Sequence, residues 1–245
     1  ITKITSSVPD SIFSAVRLST GQLSLKSFSP GQFKIEMASG KKLSTEISDI
    51  PQPIEIGGAW TVKFQHQQGT SDPQIFKSLN SWTESVDNRI KYFSGTANYL
   101  NQFSLTDKYL KNNIQVILDL GHVKDLADVR INGKPVSILW HYPFITDITG
   151  YLKPGNNILE IAVTNTWANR QIGDEQFPED CTWGKFREGR SIIEFPEWLI
   201  KNQPRPSGER STFSTWNYFT KESPLLEAGL MGPVRLVFQG VIQTK

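Results

Sequence analysis

The chain has 245 residues, enough for one large all-β domain or two smaller ones around a buried core. Its 26 basic and 24 acidic residues nearly cancel, and this balance excludes the strongly basic surface of a nucleic-acid-binding protein. No apolar run is long enough to cross a bilayer, so we predict no membrane span. The first residues, ITKITSSVPDS, lack the layout of a secretory signal.

Cysteine and histidine give no pattern of metal ligands. Cys181 is the only cysteine, which excludes an internal disulfide and a zinc site built from several thiolates. His66, His122 and His141 are scattered without metal-ligand spacing, so no histidine-based metal site is predicted. We expect no cofactor. A structural calcium ion held by loop oxygens stays open as an alternative, although no loop has a recognisable ligand spacing.

The first fifty residues predict a small β element. Phe33, Ile35 and Met37 alternate, a turn follows at Gly40, and a second alternating run ends at Ile47, which is the period-two pattern of a hairpin. The prolines of DIPQP, at positions 49–53, then interrupt any strand. We therefore predict that residues 1–50 are the tail of a preceding small β domain or an extra hairpin, and that 51–245 form the main domain.

Short alternating strands and tight turns fill the middle of the chain. The commonest two-residue hairpin turn, Asn132-Gly133, separates two of them, because both residues tolerate positive φ. The predicted strands lie near residues 60–64, 99–105, 114–120, 127–131, 136–140, 159–163 and 234–238. No long stretch has helical periodicity. This pattern predicts an all-β, galactose-binding-like jelly-roll sandwich with a long loop insertion at 166–229.

The seven tryptophans have two predicted roles. Trp60 alternates with apolar neighbours and Trp140 ends a predicted strand, so both are expected in the core. Four others lie in the insertion, where one or two of their rings could stack on a sugar: Trp167, Trp183, Trp198 and Trp216.

The insertion also contains the only dense acidic cluster, Asp174, Glu175, Glu179 and Asp180. Glycosidic cleavage needs two carboxylates that flank one bond. Adjacency in sequence does not provide that arrangement. A solvated loop whose acids pair with Arg170, Arg187 or Arg190 is therefore the main interpretation, and a catalytic pair is the alternative.

Several ordered motifs resemble a known family. The run from DLGHVKDLADVRINGKPV to YLKPGNNILEIAVTN is similar to the sugar-binding β-sandwich of glycoside hydrolase family 2, with its NG turn, D-I-T turn and G-x-N strand. The segments YFSGTANY, NRQIGDEQ and GLMGPVRL resemble the C-terminal region of glycoside hydrolase family 106, the α-L-rhamnosidases. The resemblance extends over roughly residues 51–238.

The resemblance implies a non-catalytic part of a larger enzyme, which supports or lines the substrate site. A purely structural docking domain, or a hydrolase in its own right that uses acids in 174–180, is the alternative. In family 106 the catalytic carboxylates lie in an upstream barrel, and this chain has no alternation of strand and helix that could build one. We therefore expect an upstream catalytic barrel domain as a partner, and an oligosaccharide or plant-type polysaccharide as ligand. Secretion or a periplasmic location follows by analogy alone.

In family 2 enzymes the loop after the equivalent strand reaches toward the catalytic domain, and an acid on it contacts substrate. This implies a supporting role for the start of the insertion, while directional side-chain donors there could fix sugar hydroxyls or tie the loop to the sandwich. The candidate substrate-binding residues are Trp167, Asn169, Arg170, Asp174, Glu175 and Trp183. No catalytic or metal-binding residue is predicted.

Overall fold

The structure is a computed structural model that describes residues 2–18, 22–65, 70, 72–187 and 189–243. His66 lies outside these ranges. The strands in the described ranges are β1 (Lys3–Ser6), β2 (Phe13–Arg17), β3 (Leu23–Ser27), β4 (Gly31–Glu36), β5 (Lys42–Ile47), β6 (Ile54–Glu55), β7 (Trp60–Gln65), β8 (Gln74–Phe76), β9 (Thr96–Leu105), β10 (Ile114–Asp119), β11 (His122–Lys124), β12 (Leu126–Ile131), β13 (Lys134–Leu139), β14 (Ile145–Asp147), β15 (Gly155–Thr164), β16 (Trp183–Phe186), β17 (Gly189–Ile192), β18 (Trp216–Asn217), β19 (Gly229–Gly232) and β20 (Arg235–Gln243).

Helices are few and short. The α-helices in the described ranges are α1 (Asn88–Lys91), α2 (Ala168–Asp174) and α3 (Glu197–Ile200). The 3₁₀ helices in those ranges are Asp10–Ile12, Trp82–Glu84, Asp107–Tyr109 and Thr149–Tyr151. None of the helices in the described ranges has the length and apolar character that a membrane crossing requires.

Two antiparallel sheets form the sandwich, and this confirms the predicted all-β class. One sheet has the strand order β13-β12-β15-β9-β7-β8, and the other has the order β14-β10-β20-β3-β2, with β6 also paired to β20. Alternating side chains of both sheets enter one hydrophobic core, because successive residues of a strand point to opposite faces. Tyr99, Ile161, Val116 and Leu236 are fully buried within it.

The first fifty residues contribute to two sheets. Strands β4 and β5 pair as the predicted hairpin, with Phe33 opposite Thr45, and β1 joins them. Strands β2 and β3 instead extend the second sheet of the sandwich, because β3 pairs with β20 from Gly240 to Gln243. A small core of Leu25, Phe33 and Ile47 lies between these parts. The domain boundary at residue 50 stays a prediction.

The middle of the chain follows the predicted turns closely. Asn132 and Gly133 have φ values of 52° and 76°, and they join β12 to β13 with Ile131 opposite Lys134. Trp60 is only 1% exposed, as predicted. The prediction that Trp140 lies in the core is wrong, because β13 ends at Leu139 and the Trp140 side chain is 70% exposed in the following loop.

The insertion predicted at 166–229 has more order than the sequence indicates. It contains α2, α3 and a separate three-stranded sheet with the order β16-β17-β18. The insertion begins directly after β15, a central strand of the sandwich, and ends at β19, which pairs with β11. Both ends of the insertion are therefore fixed to the sandwich.

Candidate functional site

The insertion starts from a rigid point on the sandwich. After β15, the Asn165 side chain accepts a hydrogen bond from the Gly95 amide at 2.9 Å and donates to the Phe93 carbonyl at 2.9 Å. Helix α2 then packs so closely that a Cβ on Gly173 would lie 2.6 Å from the Cβ of Tyr92. Side chains on α2 are therefore held in fixed positions.

A buried ion pair on α2 organises the next part of the insertion. Arg170 Nε lies 3.0 Å from Asp174 Oδ1, and the two side chains are 9% and 2% exposed. Asp174 Oδ2 also accepts hydrogen bonds from the amides of Ser211 and Thr212, at 3.0 and 2.6 Å, and from the Thr212 hydroxyl at 2.7 Å. Asp174 thus connects α2 to a segment almost forty residues later.

Asn169 makes a similar connection at the end of the insertion. Its side-chain amide donates to the Leu226 carbonyl at 2.7 Å, and its oxygen accepts from the Leu226 amide at 2.9 Å. Asn169 is almost fully buried. Both hydrogen-bonding ends of the amide are therefore used within the chain.

Glu175 and Arg210 form the next link. Arg210 Nη1 donates to Glu175 Oε1 at 3.0 Å, while its other nitrogens donate to the carbonyls of Pro178 and Phe177 at 2.9 Å. The second oxygen of Glu175 accepts a longer hydrogen bond, 3.4 Å, from the Asn217 side chain. The Glu175 carboxylate is only partly buried, unlike that of Asp174.

Asp180 pairs with an arginine from far along the chain. Arg205 donates from Nε to Asp180 Oδ2 at 2.5 Å and from Nη2 to Oδ1 at 3.1 Å. Burial alone would raise the pKa of Asp180, but the hydrogen bonds and charge of Arg205 hold the pKa below its ordinary value. Asp180 is therefore ionised at neutral pH and forms a bidentate ion pair with Arg205.

The only cysteine in the chain lies beside this pair. Burial, with the adjacent Asp180 carboxylate, raises the pKa of Cys181 to about 11. A thiol with that pKa stays protonated at neutral pH, and the thiolate is the nucleophilic form of cysteine. Cys181 is thus unsuited to nucleophilic chemistry.

These links surround a narrow cleft of about 40 Å³ between α2 and the three-stranded sheet. Its lining includes Glu175, Trp183, Arg210, Trp216, Asn217 and Tyr218. The walls therefore combine aromatic rings with a carboxylate, a guanidinium and a side-chain amide. This combination suits a polar ligand that also has apolar faces, such as a sugar.

The structure separates the six predicted substrate-binding residues into two groups. Glu175 and Trp183 line the cleft, and Trp167 is exposed at the start of α2. The second group is buried, and its side chains form hydrogen bonds or an ion pair with other residues of the chain; it comprises Asn169, Arg170 and Asp174. Their role in substrate binding stays a prediction for all six.

Sequence reasoning missed several residues of the cleft. Arg205, Arg210, Asn217 and Tyr218 come from a segment without strand or helix periodicity. A possible signal was composition, because arginines are spaced through the same insertion that holds the acidic cluster. Which arginine meets which acid depends on how the loop folds back, and sequence spacing does not specify that.

Within the described ranges, no group of three or more His, Cys, Asp and Glu side chains has an arrangement suited to a metal ion. His122 Nε2 lies 3.5 Å from Glu227, and the His141 ring hydrogen-bonds the Tyr142 carbonyl at 2.9 Å. Neither histidine lines the cleft.

The chain was compared with known proteins. No protein-family model matches it. Over 207 residues the chain is 44% identical to a Formosa agariphila protein named "Putative beta-glucuronidase". The match covers 84% of this chain and 17% of that protein, so the chain spans less than a fifth of the length of this curated relative.

Solved structures share the fold. A rhamnosidase from Novosphingobium sp. PP1Y superimposes with a TM-score of 0.60 and 24% identity, over 96% of this chain and 25% of that one. A β-D-glucuronidase from Dictyoglomus thermophilum has a TM-score of 0.50 and 18% identity, over 79% of this chain and 28% of its own.

The chain is similar to parts of glycoside hydrolases. In each of these proteins the similar region is a minor part of the chain, as expected for a domain that accompanies a separate catalytic domain. Identities below a quarter show the shared fold alone, so the specific resemblance to family 106 stays a prediction.

Proposed function

We propose that this chain is a non-catalytic, carbohydrate-associated β-sandwich module of a longer glycoside hydrolase of the α-L-rhamnosidase type, and that it lines the substrate site. The observation that carries this proposal is the group of side chains around the narrow cleft, where Trp183, Trp216 and Tyr218 lie beside Glu175, Arg210 and Asn217. Aromatic faces pack on the C–H faces of a sugar ring, and the polar groups orient its hydroxyls.

The acidic cluster supports the non-catalytic part of the proposal. Each of its four carboxylates lies within 3.0 Å of an arginine nitrogen. The pairs are Asp174–Arg170, Glu175–Arg210, Glu179–Arg190 and Asp180–Arg205. A glycosidase needs one carboxyl group whose pKa is raised so that it can donate a proton. For Asp180, the Arg205 partner instead holds the pKa below its ordinary value.

Within this proposal the six predicted residues have different tasks. Glu175 and Trp183 contact the sugar directly, and Trp167 extends the surface at the start of α2. The buried group Asn169, Arg170 and Asp174 holds the insertion so that the cleft keeps its shape. Both tasks, direct contact with the sugar and support of the insertion, are compatible with a catalytic site that lies on another domain.

Calorimetry with rhamnose-containing oligosaccharides tests the proposal. We expect measurable binding that Trp183→Ala or Tyr218→Ala weakens by about tenfold, the scale of one lost aromatic contact in a binding site. Trp140→Ala is the matched control, because this exposed tryptophan lies in the loop after β13 and does not line the cleft. Absence of binding to any plant-type glycan would overturn the binding role.

A β-glucuronidase-type parent enzyme is the second candidate, supported by the 44% identity to the Formosa agariphila protein. Glucuronic-acid-containing oligosaccharides in the same experiment distinguish the two. A hydrolase in its own right is a further alternative, and release of nitrophenol from aryl rhamnoside and aryl glucuronide tests it. We expect no turnover by the pure chain; turnover that Glu175→Gln abolishes would overturn the non-catalytic proposal.

A further inference from the structure

A wider groove opens beside the cleft and shares part of its lining. Its volume is about 810 Å³, and it runs along the three-stranded sheet. Glu175, Arg210, Asn217 and Tyr218 line both spaces. This volume is in the upper part of the range for ligand pockets, so the groove has room for a short oligosaccharide.

Positive charge dominates the described lining of this groove, with five cationic side chains against three carboxylates. Three of the cations already have carboxylate partners, at 3.0, 2.5 and 3.8 Å. The pairs are Arg210–Glu175, Arg190–Glu179 and Lys221–Glu222. Lys185 and Arg187 are exposed and have no ion pair with any residue in the described ranges. Among the lining residues that the structure describes, positive charges therefore exceed negative charges by two.

Aromatic rings lie next to these two cations. Phe186 meets Trp216 edge to face at 5.1 Å, and Trp216 lies 6.1 Å from Tyr218. The Arg187 guanidinium lies over the Phe186 ring at 5.4 Å. Gly189 makes this packing feasible, since a Cβ there would be 2.7 Å from the Trp216 ring.

We propose that this groove binds an acidic oligosaccharide, with a sugar ring against Tyr218 and carboxylate or sulfate groups against Lys185 and Arg187. A guanidinium presents a planar pair of donors that matches a carboxylate or sulfate, and a lysine adds a mobile point charge. The excess of only two charges among the described lining residues, on a chain of formal charge +2, is too small for a nucleic-acid backbone. This inference rests on the proposed function because it names the charge of the glycan that the same site takes.

A matched pair of ligands separates charge from sugar recognition. Oligosaccharides of alternating rhamnose and galacturonic acid are compared with the same oligosaccharides after carboxyl reduction, which converts each galacturonate to galactose. Calorimetry of the whole chain at low and high sodium chloride gives the affinities. We expect the acidic form to bind about tenfold tighter at low salt, consistent with one or two charge-assisted hydrogen bonds, and high salt to reduce this preference.

The double variant Lys185→Gln/Arg187→Gln is expected to abolish the preference and to leave the affinity for the reduced oligosaccharide unchanged. Lys134→Gln/Lys153→Gln removes the same charge from the sandwich, outside the groove lining, and is the matched control. If both double variants lost the preference for the acidic oligosaccharide equally, the assignment of its charged groups to Lys185 and Arg187 would be overturned. Equal affinity for both ligands would overturn the inference alone, whereas no binding of either ligand would overturn the proposed function.

Discussion

The hydroxyl of Tyr99 joins three parts of the sandwich core. It accepts a hydrogen bond from Trp82 Nε1 at 2.5 Å and another from the Leu230 amide at 3.2 Å. A Cβ on Gly229 would lie 2.4 Å from Trp82 Nε1, so the backbone at Gly229 packs directly against the Trp82 ring and leaves no room for a side chain. Strand β9, the 3₁₀ turn at Trp82 and β19 therefore meet at one oxygen atom.

The buried phenol of Tyr99 makes stability depend on alkaline pH. Burial raises the pKa of Tyr99 to about 12 from 10.0, although the hydrogen bonds from Leu230 and Trp82 lower it. Between pH 10.0 and about 12 the unfolded chain loses this proton while the folded chain keeps it, so unfolding becomes easier as pH rises. Urea unfolding should show the free energy of unfolding falling across this window.

Tyr99→Phe separates this effect from the titration of lysines. At neutral pH we expect the variant to lose about 1–3 kcal/mol, because two buried donors no longer have an acceptor. Its loss of stability above pH 10.0 should be shallower than that of the original chain. Parallel pH profiles for the two proteins would contradict the assignment, and Tyr142→Phe, at an exposed ring, is the control.

The two tryptophans that sequence alternation assigned to the core should respond differently to truncation. Trp60→Ala is expected to cost about 3–5 kcal/mol, the scale for a large aromatic side chain lost from a core. Trp140→Ala should change the free energy of unfolding by less than about 0.5 kcal/mol, since its side chain is exposed. Denaturant titration measures both, and a large loss for Trp140→Ala would contradict the placement of this loop.

At the scale of elements, the insertion depends on pairs between distant segments. Asp180 and Arg205 are 25 residues apart, and Arg205 also donates to the Thr212 carbonyl at 2.7 Å. The Trp198 ring of α3 lies 5.2 Å from the Arg205 guanidinium. One arginine thus holds α3 and the segment before β18 against the loop after α2.

Arg205→Gln is therefore expected to loosen the insertion and leave the sandwich intact. The variant leaves Asp180 buried without its cation, which is strongly destabilising for the local structure. Hydrogen exchange should rise between residues 177 and 216 and stay unchanged in β9 and β15. Lys201→Gln removes an exposed ion pair with Glu197 and should change neither region. An equal rise in hydrogen exchange across the insertion and the sandwich in Arg205→Gln would contradict the local role of Arg205.

This element also marks the limit of prediction from sequence. Alternation and the Asn132-Gly133 turn predicted β12, β13 and the sandwich, because strand faces and turn geometry depend on neighbouring residues. The acidic cluster was visible, but two of its four arginine partners, Arg205 and Arg210, lie 25 to 35 residues later. Such pairings depend on how a loop closes, and they leave no periodic signal.

At the scale of the whole molecule, two strands from the first fifty residues, β2 and β3, share a sheet with the sandwich. The pairing of β3 with β20 continues the second sheet. Ile47 also packs closely against β20, since a Cβ on Gly240 would lie 2.3 Å from the Cγ2 methyl group of Ile47. A boundary predicted at Pro51–Pro53 from the local sequence takes no account of these contacts, because β20 lies at the other end of the chain.

Comparing residues 51–245 with the full chain tests the boundary. We expect the shorter chain to unfold at a lower temperature and to associate, because it exposes the β20 edge that β3 covers. Calorimetry and light scattering measure the two effects. An unchanged unfolding temperature and a monomeric state would instead support an independent first domain.

The position of β20 also determines the order in which the molecule can assemble. This strand lies between β10 and β3 and also pairs with β6. During synthesis the ribosome releases β3, β6 and β10 long before the strand that joins them. Until then these strands have open edges, and their apolar faces lack the opposite layer. Completion of the second sheet must therefore follow translation of residue 243, while the hairpin of β12 and β13 needs only its own residues and can form early.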